Sequence, residues 1–220
     1  FKKVDDKIRE YRAKFSKEPQ VIWLQNHGIF VAANNIEEIK SIYNSIFETL
    51  DKAIEIPLII GERETCRCTE EILPAIRMIA SAEGLKTLKV RKNELIKYFY
   101  DSEENQDTIA KPFTPDAIVY CKSNYLFFNN ETPEQVIADA KKSIPDFVNK
   151  YRYLPKVLLI KGIGLVAVGD TAKQCDIILD VFEDTMKVAY LSQSFGGAHP
   201  MTQEQVDFID NWEVENYRRS

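Results

Sequence analysis

Residues 21–35 read VIWLQNHGIFVAANN. Two apolar, partly β-branched runs, VIWL and IFVAA, flank Gln25, Asn26, His27 and Gly28, a pattern that predicts a β-hairpin with Gly28 at a turn position tolerating positive φ. Asn34 or Asn35 then caps a helix on which Ile36, Ile39, Tyr43, Ile46 and Leu50 share one face, and Pro57 ends it. A second stretch, KVLLIKGIGLVAVGD at 156–170, returns to the same design. A constant offset carries Pro19 onto Pro155, Val21 onto Val157, Gly28 onto Gly164, Asn34 onto Asp170 and Asn35 onto Thr171. The helix after Thr171 then sets Cys175, Ile178, Leu179, Phe182, Met186 and Ala189 on one face. Proline, turn glycine, cap and helix phase agree, which points to an internally repeated strand-turn-strand-helix unit. Two hairpin-helix units of independent origin would carry similar signs.

Working outward, VDDKIREYRAKFS at 4–16 spaces Val4, Ile8, Tyr11 and Phe15 as an amphipathic surface helix. TEEILPAIRMIASAE at 69–83 predicts a helix despite Pro74, LKTLKV a strand and NELIKYFY a short helix. The polar run DSEENQD, continuing to Lys111 and Pro112, is the best linker, so the expected domains are 1–111 and 112–220. DAIVYC reads as a buried strand. TPEQVIADAKKSI reads as a helix capped by Thr132 with Pro133 in its first turn, and DFVNKYRYL as another helical piece. Gly196 and Gly197 break the helix before them, Thr202 with Gln205 has the spacing of a capping box, and Phe208, Trp212 and Tyr217 are expected to pack.

The composition is that of a globular protein: 45% hydrophobic, 29% charged. A net charge of -5, with no basic cluster interleaved with aromatics, argues against a nucleic-acid partner. No apolar run is long enough for a bilayer and no signal peptide opens the chain, so neither a membrane partner nor export is expected. Cys66 and Cys68 are too closely spaced for a zinc knuckle; with Cys121 and Cys175 they are expected to be reduced thiols of a cytoplasmic protein. The chain begins with Phe1, which suggests a fragment or a processed product.

His27 is the first candidate for chemistry. A hairpin holds it rigidly, but a catalytic zinc site needs about three protein ligands, and by residue type alone a structural or surface role is favoured. VIWLQNHGIFVAANNIEEIKSIY, however, resembles the NHG segment of the class II aldolase/adducin family. FTPDAIVYCKSNYLFF, KVLLIKGIGLVAVGDT and FGGAHPMTQEQVDFIDNWEVENYRR resemble the region downstream of the zinc hairpin in the long rhamnulose-1-phosphate aldolase/alcohol dehydrogenase type members, so the resemblance spans nearly the whole chain. It implies an α/β fold with a mixed sheet covered by helices, and a zinc cofactor for which His27 is the third ligand. It also implies a lyase that cleaves a sugar phosphate, such as a ketose 1-phosphate, into dihydroxyacetone phosphate and an aldehyde, the zinc polarising the ketone. The family's His-x-His pair and acid/base glutamate lie upstream of that segment and have no counterpart here; only His27 carries over. The second copy sets Ile163 where His27 stands, and Tyr120 and Lys122 where two histidines are expected, which implies a metal-free copy over 112–195. The chain alone is therefore expected to be silent, and a homo-oligomer is expected from the family. The alternative is an adducin-like binding or assembly protein.

Other signals fit plainer roles. Lys161-Gly162-Ile163-Gly164 lacks the spacing of a dinucleotide loop. His199 beside Pro200 reads as a solvated loop residue, Glu213 and Glu215 diverge on a helix, and Glu62, Arg63 and Glu64 read as a solvated cluster.

Overall fold

A computed structural model describes residues 2–63, 68–82, 84–130 and 132–210. The chain divides into two compact units, Phe1–Glu55 and Ile56–Ser220. In the first, helix α1 (Lys2–Phe15) precedes strands β1 (Val21–Leu24) and β2 (Gly28–Val31) and helix α2 (Ile36–Ala53). The strands pair antiparallel with Val21 opposite Val31 and Leu24 opposite Gly28. Asn26 at φ 56° and Gly28 at φ 151° take the positive-φ positions of the turn, the conformations that a short polar side chain and a glycine tolerate best. Asn35 is the cap of α2: its side chain accepts from the Glu38 N–H at 2.9 Å, while Glu38 reaches back to the Asn34 N–H at 3.2 Å. None of the described residues in this unit is buried. Trp23 is 61% exposed and Phe30 58%, although both faces of the hairpin are apolar.

The second unit runs α3 (Thr69–Ala80), β3 (Thr87–Arg91), α4 (Glu94–Tyr100), α5 (Glu103–Thr108), α6 (Pro115–Cys121), β4 (Leu126–Phe128), α7 (Pro133–Tyr151), β5 (Val157–Ile160), β6 (Gly164–Gly169), α8 (Ala172–Leu191), a 3-10 turn at Ser192–Phe195 and α9 (Gln203–Asp210). Its sheet has the order β3-β6-β5-β4, with β4 parallel to β5 and the other pairs antiparallel. Every residue of β5 and β6 is buried. Strands without a polar face belong in the interior of a sheet covered on both sides. Val157, Leu159, Leu165 and Ala167 join Phe99, Ile178 and Phe182 of α4 and α8. The alternate residues, Leu158, Ile160, Val166 and Val168, join Ile72 and Ile76 of α3 and Ala140 and Ile144 of α7. The mixed α/β sheet covered by helices is thus present in this unit.

Several expected elements differ. DAIVYC forms α6, not a strand. Thr114 caps it by accepting from the Ala117 N–H at 3.2 Å, Pro115 opens its first turn, and Ala117, Ile118 and Cys121 are buried while Tyr120 is 43% exposed. That is a helical period, and the Thr-Pro-Asp start signal outweighs the short apolar run. DSEENQD forms α5 rather than a linker: the Ser102 side chain accepts from the Asn105 N–H, Asn105 donates to the Tyr98 carbonyl at 2.9 Å, and Gln106 is buried. The position 111/112 therefore falls inside the second unit, whose edge strand β3 lies before it. The two helical pieces after Thr132 are one helix, α7, which passes through Pro145 because Ala140, Ile144 and Phe147 keep one buried face on either side of it. Asn93 caps α4 and donates to Glu183 of α8 at 3.4 Å, and Arg91 of β3 meets Glu183 and Asp180, each at 2.7 Å, tying the edge strand to the helix that covers it.

The reading of all four cysteines as reduced also needs correction. Cys121 and Cys175 are free and buried, but Cys68 is disulfide-bonded.

Candidate functional site

The turn that joins β1 to β2 positions His27. Its N–H donates to the Leu24 carbonyl at 3.2 Å, which closes the turn and leaves the imidazole at the exposed apex of the hairpin. A cleft of about 620 Å³ in the same unit lies at the opposite end of the strands, among Tyr11, Pro19, Val21 and Asn34, and His27 does not line it. Among the described residues no three His, Cys, Asp or Glu side chains come close enough to hold a metal ion. The described residues therefore do not make up a complete zinc site. What His27 offers is a single exposed imidazole.

The second hairpin has the same local geometry with different side chains. The Ile163 N–H donates to the Ile160 carbonyl at 3.1 Å, Gly162 takes φ 78° and Gly164 φ 135°, and Ile163 is 1% exposed. Lys92 donates to the Gly162 carbonyl at 2.7 Å. A strand follows Gly164, so its glycines cradle no phosphate at a helix start. Tyr120 lies on the exposed side of α6 and Lys122 is the C-cap of that helix, so the two are not paired along a ligand strand. His199 is exposed in the loop before α9. Phe208, expected to pack, is 66% exposed. Glu64, Cys66, Trp212, Glu213, Glu215 and Tyr217 lie outside the described residues.

Residues 152–218 match the family model described as aldolase class II, second domain. That stretch belongs to the class II aldolase family. No curated protein matches the chain. The class II aldolase segment contains β5, β6, α8 and α9, so it covers the buried hairpin and leaves His27 outside. Among the described residues, no helix is long and apolar enough to cross a membrane.

Burial perturbs a thiol in the second unit. Burial pushes the Cys121 thiol up to about 12 from an ordinary value of 9.0, and its Sγ donates to the Ile178 carbonyl at 3.6 Å. The native state holds this proton where the unfolded chain releases it. The stabilisation is thus full below pH 9 and is lost as pH climbs toward 12, by about 1.4 kcal/mol per unit. Urea midpoints measured from pH 8 to 10 should fall more steeply for the native protein than for Cys121→Ala; equal slopes would show that the thiol has no part in it.

Proposed function

We propose that this chain is a piece of a zinc-dependent class II aldolase-like lyase that cleaves a sugar phosphate, with a ketose 1-phosphate as the substrate class and dihydroxyacetone phosphate and an aldehyde as products. The observation that carries the reading is the exposed imidazole of His27 at the tip of a hairpin with apolar faces. It is outward-facing, and it lies in an Asn-His-Gly turn like the one that bears a metal ligand in the family. The remaining ligands and the acid/base group would come from outside the described residues. The second hairpin supports its own half of the reading. Ile163 is buried where His27 is exposed, an alkyl chain cannot coordinate zinc, and the Lys92 ammonium at the turn repels a cation. The strand-turn-strand-helix unit of residues 19–53 and that of 155–191 descend, in this reading, from one ancestor, the second having become a metal-free packing module. A homo-oligomer built on these modules completes the proposal.

In the protein as translated, His27→Ala should lose bound zinc and lower aldol cleavage by at least about 100-fold, with the fold unchanged because the side chain is exposed. Metal analysis together with aldehyde release from a ketose 1-phosphate checks this. Zinc and activity both retained in the variant would remove the lyase reading and favour an adducin-like assembly protein.

A further inference from the structure

Helices α3 and α7 share a core cluster through Ile76, Ala80, Ala140 and Ile144, and beside it a cleft of about 440 Å³ opens between the end of α3 and the C-terminal half of α7. We propose that this cleft binds a small monocarboxylate with an apolar tail, the tail along its floor and the carboxylate against Arg152. This site shares no residue with the His27 hairpin and stands or falls without it.

The floor is hydrocarbon. Ala80 and Ile144 are buried beneath it, and the half-buried Ile79, Val148 and Leu154 line it. Alanines at 80 and 82 leave the volume open where longer side chains would fill it. A tail laid on this surface loses water contact and gains protein contact, in a cleft of ordinary small-molecule size. The hydroxyls of a sugar would find no partner on these side chains, so a polyol is disfavoured here.

The head-group end carries one sign of charge. Among the described lining residues, Lys86 and Arg152 are cations and none is acidic. Lys86 Nζ donates to Asp170 at 2.5 Å, so its charge is already matched. The Arg152 guanidinium has no hydrogen-bond or ion-pair partner among the described residues, which leaves its planar fork of donors for a carboxylate. Asn149, one helical turn before it, adds an amide to the same wall. Both helices end here, and helix C-termini carry partial negative charge. Their carbonyls are capped, however: the Arg152 N–H donates to the Val148 carbonyl at 2.8 Å, and the Ser81 N–H to those of Arg77 and Met78 at 3.0 and 3.3 Å. A full guanidinium charge at the wall outweighs what remains. The Lys86 side is fixed in place, since Arg77 Nε donates to the Lys86 carbonyl at 2.7 Å and Ser81 Oγ accepts from its N–H at 3.0 Å.

Octanoate, kept below its micellar concentration, should bind the full chain and move the amide signals of 79–82 and 144–154. Hexanoate should bind about tenfold more weakly, because two methylenes leave the floor. Octanol in place of octanoate, or Arg152→Gln with octanoate, should each cost about tenfold by removing one side of the head-group contact. Ala82→Trp, at an exposed position of the lining, should block the tail and abolish binding with the melting temperature unchanged. No octanoate binding, hexanoate or octanol bound as tightly as octanoate, unchanged affinity in both variants, or shifts confined to other parts of the chain would each overturn the assignment.

Discussion

Replacing Gly164 with alanine is expected to destabilise the protein by about 3–5 kcal/mol, enough to remove a large part of a typical domain's stability. Gly164 stands at φ 135°, where L side chains are rarely found, and a Cβ on it would lie 2.4 Å from the Arg91 carbonyl oxygen. That oxygen belongs to edge strand β3, paired with β6 through Arg91 opposite Leu165, so relief requires separating two strands of the buried sheet. The same substitution at Gly28, the matching position of the first hairpin, meets no atom within 4 Å. It should leave the main unfolding transition where it was. Urea unfolding of both variants measures the difference, and a Gly164→Ala midpoint within error of the native protein's would refute the account of this turn.

The second large effect concerns the two units taken separately. Residues 56–220 should unfold cooperatively by themselves, with a melting temperature close to that of the full chain, because the core clusters among the described residues lie entirely within them. A peptide of residues 1–55 should show some helix by circular dichroism but no cooperative transition. Its described residues include none that is buried, and about 55 residues without a core bury too little apolar surface to offset the entropy of ordering the backbone. A sharp, urea-sensitive transition in the short peptide would count against this.

These two experiments bear on why the two hairpins, so alike in sequence, differ in surroundings. Both are apolar on alternate faces, both close with an N–H to carbonyl bond across the turn, and both place glycine at the same position. In β5 and β6 each face meets helices and each edge a further strand. In β1 and β2 the pairing stops at two strands, and Trp23 and Phe30 face outward. The pattern of VIWL and IFVA encodes burial on both sides, but local sequence does not name the partner that provides it.

The candidate site was legible to the same extent. The Asn-His-Gly turn singles out His27 in the sequence, and the structure exposes that side chain at the hairpin apex. Lys122, Lys150, Tyr153 and Asp210, which line one cleft in the second unit, are scattered over nearly ninety positions and meet only through the packing of α6, α7 and α9.

What the sequence determined by itself was local and short-ranged: the hairpins, a cap at Asn34 or Asn35, the caps at Thr132 and Thr171, and the capping box of Thr202 with Gln205. Each depends on side chains within about five residues of the backbone groups they satisfy. Tertiary structure alone decided that the polar run belongs to a packed unit, that β4 runs parallel beside β5, and which lysines share a cleft. Those outcomes turn on apolar area buried between distant segments, a quantity that exists only once the chain has folded.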